Sequence, residues 1–166
     1  MKTFHGKRQR RSIRLKNYDY GRSGAYFITI CTHRRENCFG RIENGEMIFG
    51  DYGRIVQYEW QATGHIRPYV ALDKFVVMPN HFHGIIWITD GRGTARCAPT
   101  ASRFGRLAPD SLAAIVRSFK SAVTKRINSL RQTPGASVWQ RSYYEHIIRS
   151  EAALNRIRDY IMHNPR

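Results

Sequence analysis

Two histidines separated by one residue lie inside a long apolar run of the sequence. The run KFVVMPNHFHGIIWIT extends from Lys74 to Thr89 and contains the pair as His81 and His83. Residues i and i+2 of a β-strand project to the same face, so both imidazoles can bind one metal ion if Phe82 points into a core. Imidazole suits transition metals and is tolerated by Mg²⁺ or Mn²⁺ sites that also contain phosphate oxygens. Because such pairs also occur on strands that merely face solvent, a metal site requires further ligands.

A tyrosine and an asparagine near the end of the sequence are candidates for the same site. Tyr160 and Asn164 are four residues apart in DYIMHNPR and are therefore neighbours on one face of a helix. Both are rotated by roughly a quarter turn from the apolar stripe of that helix, which puts them where the helix meets a sheet. The Asn164 amide oxygen can complete a metal site beside the Tyr160 phenol. Spacing alone equally allows a packing tyrosine and an asparagine that precedes a proline at a helix end.

The strands that would carry the histidines are predicted from β-branched and aromatic runs. AYFITICT, residues 25–32, predicts one strand, and Asn44-Gly45 within RIENGEMIF is typical of a hairpin turn. Pro79-Asn80 interrupts the next apolar region because proline cannot donate a hydrogen bond to a ladder. Residues 69–72, 75–78 and 83–89 together predict one or two strands with this interruption, and VWQRSYYEHIIR is strand-like at its end.

Three segments have helical spacing. Asp51 is positioned to cap a helix that continues to about His65, and apolar residues recur at intervals of three and four from Asp110 to about Leu130. Ser150 can cap the last helix. The element order β, β, α, β, β, α, β, α predicts an α+β fold with helices on one face of an antiparallel sheet.

The charge balance predicts an anionic partner. The 166 residues suit a single domain, and 28 Lys and Arg against 12 Asp and Glu give a net charge of +16. Nucleic acid is favoured over an anionic membrane, because no basic amphipathic helix stands apart from the rest. We therefore predict no membrane partner.

The cysteine content and the N-terminus predict a cytoplasmic protein. Cys31, Cys38 and Cys97 are few, odd in number and irregularly spaced, which fits neither a disulfide framework nor a zinc ribbon. The N-terminus has no apolar core of a signal peptide, and no window reaches the roughly 18 apolar residues of a membrane span.

Basic and aromatic residues outside the histidine run are candidates for nucleic-acid contact. Residues 1–17 form a basic arm that can contact phosphates, although a solvated tail has the same composition. Residues 18–166 would be the folded domain, with a flexible basic loop at about 90–109. The candidates for phosphate contact are Arg8, Arg10, Arg11 and Arg14 of the arm, Arg92, Arg96, Arg103 and Arg106 of the loop, and Arg117 and Lys120; Tyr18, Tyr20 and Trp139 are the candidates for base stacking, and Gln140 is a further candidate contact.

Three segments, in this order, resemble the REP-associated tyrosine transposases. They are VVMPNHFHGIIWI, WQRSYYEH and DYIMHNP, and the resemblance extends from about Tyr18 to the last residue. This family belongs to the single-tyrosine, IS200-like transposases of the HUH endonuclease superfamily. The resemblance implies a ferredoxin-like, RRM-like antiparallel sheet with the histidines on a central strand and the tyrosine on a C-terminal helix.

The resemblance also implies a reaction. His81, His83 and Asn164 would bind a divalent metal ion, Mg²⁺ or Mn²⁺, and Tyr160 would be the nucleophile. The family cleaves single-stranded DNA near imperfect palindromes, leaves a 5′-phosphotyrosine and a free 3′-hydroxyl, and rejoins strands. The partner would be single-stranded or hairpin DNA, and relatives exist as monomers and as dimers.

Other assignments remain open from the residues. A non-catalytic, RRM-like nucleic-acid-binding protein would keep the fold and the charge, and a metal-dependent phosphodiesterase would use water in place of Tyr160. Tyr143 and Tyr144 are less favoured as nucleophiles. Gln140 and His146 are possible supporting groups, and His163 is expected to be exposed.

Overall fold

The computed structural model describes residues 23–89 and 111–164. The arm predicted at 1–17, the loop predicted at 90–109, Tyr18, Tyr20 and Cys97 lie outside the described residues. The described elements are β1 (Gly24–Cys31), a 3₁₀ turn (His33–Arg35), β2 (Gly40–Glu43), β3 (Glu46–Phe49), α1 (Asp51–Ile66), β4 (Val70–Met78), β5 (His81–Ile88), α2 (Leu112–Leu130), β6 (Tyr144–Ile148) and α3 (Glu151–Met162).

Four strands form one antiparallel sheet in the spatial order β4-β5-β1-β6. Because β1 and β4 are each antiparallel to β5, they run parallel to each other with β5 between them. Helix α1 connects β1 to β4, and α2 connects β5 to β6, which is the split βαβ arrangement of a ferredoxin-like fold. The predicted α+β class with an antiparallel sheet is confirmed.

Helices α1 and α2 cover one face of the sheet. Trp60 of α1 and Phe119 of α2 pack against Phe82, and all three side chains are buried. Tyr26, Ile28 and Ile30 of β1 contribute to the same cluster. This core fixes β1 and β5 as the two central strands.

Helix α3 lies on the opposite face, which differs from the prediction of helices on one face. Leu154 and Ile161 of α3 pack against Ile85 of β5. The next residue, Ile86, points the other way and belongs to the core under α1 and α2. Both faces of β5 are apolar at this point, so each requires a cover to exclude water. Period-two alternation shows that two faces are apolar but does not show which helix covers each of them.

Strands β2 and β3 form a separate two-stranded antiparallel sheet, and the turn that joins them differs from the turn between β4 and β5. Asn44 and Gly45 have φ values of 50° and 79°, the positive pair that a type I′ hairpin requires. Pro79 and Asn80 form a two-residue turn between β4 and β5, so they separate two strands and do not interrupt one. Their carbonyls accept hydrogen bonds from the Phe39 and Thr32 amides, each at 3.0 Å.

Serine caps begin two of the helices. The hydroxyls of Ser111 and Ser150 accept hydrogen bonds from the amides of Ala114 and Ala153 at 3.3 and 3.2 Å. The predicted cap of α1 is wrong by one position, because Gly50 is the N-cap and Asp51 is the first helical residue. Its carboxylate there still favours the positive end of the helix dipole. None of the helices among the described residues has the length and apolar character needed to cross a bilayer.

Candidate active site

Strand β5 presents its histidines to the face that α3 covers. His81 and His83 share this face with Ile85, while Phe82 lies in the core on the other side. The two imidazole centroids are 4.6 Å apart and nearly perpendicular. The two-residue period of a β-strand predicted this arrangement. Because β5 lies between β4 and β1, His83 is buried and only 5% exposed.

His83 forms hydrogen bonds through both ring nitrogens. Its Nδ1 lies 2.8 Å from the hydroxyl oxygen of Thr29, directly opposite on β1. Its Nε2 lies 3.2 Å from the hydroxyl oxygen of Tyr160, 77 residues later in the chain. Phe27 stacks on the imidazole with centroids 5.3 Å apart. The ring is therefore held in position, and its Nε2 faces the tyrosine.

His81 is oriented by its neighbour in the turn. Its Nδ1 lies 2.7 Å from Oδ1 of Asn80, an amide oxygen that accepts a hydrogen bond. Nδ1 of His81 then carries the proton, and Nε2 is left with the free lone pair. A metal ion would bind His81 through this second nitrogen.

Burial keeps both imidazoles neutral. It lowers the pKa of His83 to about 4, with a smaller contribution from the repulsion that two protonated imidazoles, those of His81 and His83, would have for each other. Burial also lowers the pKa of His81, and the positive charge of Arg35 adds to this effect. Both imidazoles are therefore unprotonated at neutral pH, which is the form that metal binding would require.

Tyr160 reaches the site from α3 with its side chain 51% exposed. The helix is attached to the sheet on two sides of this residue, by the buried side chains of Leu154 and Ile161. Arg158 adds a bidentate ion pair with Asp73, which lies in the irregular segment of β4 between Leu72 and Phe75. The phenol is therefore fixed beside His83 and remains open to solvent and to a substrate.

The carboxylate of Asp73 is held by three donors. Besides Arg158, the indole of Trp87 donates at 3.2 Å and the amide of Lys74 at 2.7 Å. Burial alone would raise the pKa of Asp73, but the hydrogen bonds from Arg158, Trp87 and Lys74 outweigh it and hold this pKa below its usual range. Asp73 stays ionised and keeps Arg158 in place.

Asn164 lies four residues after Tyr160, in the turn that follows α3. Asn164 is half-buried, and its backbone amide donates a hydrogen bond to the backbone carbonyl of Ile161 at 3.3 Å. Residues 23–89 and 111–164 contain no group of three or more His, Cys, Asp or Glu side chains that could hold a metal ion. A cation bound to the two histidines would need the Asn164 oxygen or ligands from the substrate.

The residues predicted to contact nucleic acid fall into different environments. Arg117 is exposed on α2. Lys120 is half-buried, its pKa is lowered by burial, and its ammonium donates to the carbonyls of Gln140 and Arg141 at 2.6 and 3.1 Å. The backbone amide of Gln140 donates a hydrogen bond to the backbone carbonyl of Cys31 at 2.9 Å. Cys31 lies at the same end of the sheet as His81. Arg8, Arg10, Arg11 and Arg14 lie outside the described residues.

Trp139 is not available as a base-stacking platform. Its side chain is 6% exposed and packs between Phe39 and Phe119, with centroid distances of 5.0 and 6.0 Å. A bridge between Thr32 and Trp139 brings the ring under α2. The prediction of stacking on Trp139 is wrong for this conformation, because the indole completes the core.

Tyr144 and His146 lie on the same face of the sheet as the candidate site. Tyr144 pairs with Thr29 and His146 pairs with Phe27 across β1 and β6, so they face the same side as His83. Both side chains are exposed, as is His163, which was expected to be. The imidazole of His83 is in contact with the hydroxyl of Tyr160.

Sequence reasoning did not identify four residues that shape the site. Thr29 and Phe27 hold His83, and Asp73 and Arg158 hold α3. The sequence contained one usable signal, since Thr29 is a polar residue in the apolar strand AYFITICT, at a position that alternates with the core residues Ile28 and Ile30. Asp73 and Arg158 are 85 residues apart, and no local pattern connects them.

The fold and the site together define a ferredoxin-like domain in which a helix-borne tyrosine faces two histidines of a central strand. An uncharacterized protein of Haemophilus influenzae is 42% identical over 165 residues, with 96% of this chain and 90% of that protein covered. A second protein of the same organism, described as "Putative REP-associated tyrosine transposase", is 25% identical over 156 residues, with 91% of this chain and 76% of that protein covered. No protein-family model matches the chain.

The solved structure of a REP-associated tyrosine transposase bound to a REP hairpin has the same fold. It superposes with a TM-score of 0.61 at 21% identity, over 93% of this chain and 72% of that chain. The chain belongs to one family with the uncharacterized Haemophilus influenzae protein. Its resemblance to the REP-associated tyrosine transposases is confirmed.

Proposed function

We propose that the protein cleaves and rejoins single-stranded DNA through a covalent bond to Tyr160. The observation that carries the proposal is the 3.2 Å separation between the Tyr160 hydroxyl and Nε2 of His83. A nucleophile must lie within hydrogen-bond reach of the groups that activate it. Tyr160 is half-exposed, so its oxygen is also accessible to a phosphodiester.

In the proposed reaction, the phenol oxygen of Tyr160 attacks the phosphorus of a phosphodiester. The bond between phosphorus and the 3′ oxygen breaks, the phenol proton is lost, and the departing oxygen gains a proton to become a free 3′-hydroxyl. The phosphotyrosine ester conserves the energy of the cleaved bond. A 3′-hydroxyl of another strand can therefore attack this ester, release Tyr160 and join DNA, which a hydrolase does not do.

A divalent cation, Mg²⁺ or Mn²⁺, is the cofactor that the residues fit. His81 and His83 would hold it through ring nitrogens, with the amide oxygen of Asn164 as a further ligand. A cation bound at Nε2 of His83 would replace the hydrogen bond of that nitrogen to Tyr160, and the phenol would then lie beside the cation. The fit rests on two neutral, adjacent imidazoles whose Nδ1 atoms are hydrogen-bonded to Asn80 and Thr29, because such outer partners orient metal-binding histidines. When bound, the cation would neutralise the negative charge of the phosphate oxygens.

The proposed substrate is DNA with an unpaired segment and a hairpin. The net charge of +16 supports a polyanionic partner. The solved structure with the same fold holds a REP hairpin, and the 25% identical relative carries the corresponding family name. Tyr160 requires a phosphodiester that can approach α3 from solvent, which an unpaired strand does more readily than a duplex.

A labelled hairpin with unpaired extensions tests the proposal directly. The protein and the DNA are incubated with Mn²⁺, and the products are separated on a denaturing gel. We expect a labelled protein band with the wild type and with Tyr144→Phe, and no band with Tyr160→Phe. Tyr144→Phe is the matched control, because it removes an exposed hydroxyl from the same face of the sheet.

Two outcomes contradict the proposal. Cleavage that persists in Tyr160→Phe would indicate a metal-dependent phosphodiesterase that uses water. DNA binding without cleavage or adduct under any divalent cation would indicate a non-catalytic nucleic-acid-binding domain.

A further inference from the structure

The sheet face that carries His83 also carries an exposed tyrosine on its edge strand. Thr29 pairs with His83 on one side and with Tyr144 on the other, so the three side chains form one row across β5, β1 and β6. Two strand spacings separate Tyr144 from His83, which corresponds to about 10 Å. Tyr144 is 45% exposed.

An exposed aromatic ring on a sheet is a surface on which an unpaired base can stack. Base-aromatic stacking tolerates any base, and RNA-binding sheets of this architecture use it. Single exposed apolar side chains are common on protein surfaces and by themselves require no explanation. Tyr144 differs because its row leads to Tyr160, whose hydroxyl contacts His83.

A groove lies close to Tyr144, because Arg141, three residues earlier in the chain, lines it. It has a volume of about 660 Å³ and lies between α2, from Lys120 to Ser129, and the segment 134–141. Lys120, Lys125 and Arg141 line it, and none of the described lining residues is acidic. The nine residues from Lys120 to Asn128 extend for about 12 Å, the length of roughly three stacked nucleotides.

Gln140 lines the groove and connects it to the end of the sheet that holds His81. Cys31 pairs with His81 across β1 and β5, and the carbonyl of Cys31 accepts a hydrogen bond from the Gln140 amide at 2.9 Å. Lys120 donates to the Gln140 and Arg141 carbonyls, so its ammonium stabilises the wall of the groove. Lys125 and Arg141 are exposed and therefore accessible to phosphates.

We propose that Tyr144, Arg141 and Lys125 form the binding surface for the unpaired DNA that adjoins the cleaved phosphate. A base next to the scissile phosphate stacks on Tyr144, and the following phosphates contact Arg141 and Lys125. The identity of the ligand rests on the proposed function, but the surface itself rests on strand register, exposure and charge. This surface extends from the candidate site over the edge strand β6 to α2, which lies on the opposite face of the sheet.

Fluorescence anisotropy with two labelled DNAs tests this surface. One DNA is a hairpin with unpaired extensions on both sides, and the other is the same hairpin without them. Binding is measured in a Tyr160→Phe background so that no cleavage occurs. The test variants are Tyr144→Ala, Tyr144→Phe, Arg141→Glu and Lys125→Glu. The matched controls on α1 are Tyr58→Ala, at a tyrosine that is also exposed, and Arg54→Glu, at an exposed cation.

We expect Tyr144→Ala to bind the extended hairpin about fivefold or more weakly, and Tyr144→Phe to bind it as the background does, because phenylalanine retains the stacking surface. Arg141→Glu and Lys125→Glu should each weaken binding of the extended hairpin and lower the slope of log affinity against log salt by about 0.7 or more. All four variants should bind the hairpin without extensions as the background does.

Equal losses on both DNAs, or equal losses in the α1 controls, would overturn the proposal, because they would indicate a general charge or folding effect. Unchanged binding in Tyr144→Ala and in both charge reversals would overturn it as well. The covalent adduct is measured separately in the Tyr160-containing protein. Absence of the adduct with extension-dependent losses intact would refute the proposed function and leave this surface supported.

Discussion

Arg158, which precedes Tyr160 by two residues in α3, forms a bidentate ion pair with Asp73 of β4. The guanidinium Nε lies 3.1 Å from both carboxylate oxygens of Asp73, and the indole of Trp87 donates to the same carboxylate. Because residues two apart on a helix move as one rigid unit, this pair sets the position of the Tyr160 phenol over His83. The pair is therefore a positioning element of the candidate site.

Replacing Arg158 by methionine should slow adduct formation without weakening DNA binding. Methionine keeps most of the aliphatic length but lacks the donors to Asp73, so α3 can shift relative to β5. A displacement of about 1 Å can reduce the rate roughly 100-fold. Single-turnover adduct formation and equilibrium DNA binding measure the two effects separately.

Arg156→Met is the control for Arg158→Met, because Arg156 is an exposed cation of the same helix. We expect a near wild-type rate of adduct formation for this control. Equal loss of rate in the two variants, or equal loss of DNA affinity and rate in Arg158→Met, would refute a positioning role.

The same ion pair should make stability depend on acid pH. The folded-state pKa of Asp73 is lowered from the ordinary aspartate value of 3.8 by its hydrogen bonds to Arg158, Trp87 and Lys74. The stabilisation is therefore fully present above the unfolded-state pKa and is lost as the pH falls through the folded-state pKa. Urea unfolding of wild type and Asp73→Asn should show a difference in free energy that is constant above about pH 5 and shrinks below about pH 4. A difference that grows on acidification would contradict the assignment.

Thr29→Val should weaken metal binding more than it weakens the fold. Valine preserves the β-branched shape in β1 but removes the hydroxyl that bonds to Nδ1 of His83. Loss of an outer partner of a metal-binding histidine typically costs about 10- to 100-fold in affinity. Calorimetric titration with Mn²⁺ measures this loss.

Thr63→Val provides the control for Thr29→Val, since the buried Thr63 hydroxyl bonds to the Glu59 carbonyl within α1. It makes the same chemical change away from the histidines, so Mn²⁺ affinity should remain at the wild-type value. If Thr29→Val also retained wild-type affinity, the hydroxyl would have no role in metal binding.

Gly84→Ala should destabilise the sheet next to the histidines. A Cβ at this position would lie 2.8 Å from ring atoms of both Phe82 and Trp60. These aromatic rings are fully buried and cannot move freely, so overpacking should cost about 1–3 kcal/mol. Urea denaturation measures the cost. Gly64→Ala in α1 should cost less, because its contact is with the flexible Leu72 side chain and alanine favours the helix.

The sequence alone determined most of the local structure. The strands around the histidines, the Asn44-Gly45 hairpin and the Ser150 cap follow from interactions among neighbours in the chain, which spacing and residue type record. The shared face of His81 and His83 follows from the period of a strand. The net charge needs no structure at all.

Only the tertiary structure decided how the elements combine around the site. It put α3 on the face opposite α1 and α2, brought Tyr160 to His83 and joined Arg158 to Asp73. It also buried Trp139 and left Tyr144 exposed, although both are aromatic residues in one short segment. These contacts join residues far apart in the chain, and they depend on which surfaces must exclude water, a property of the whole packed domain that periodicity within one segment does not record.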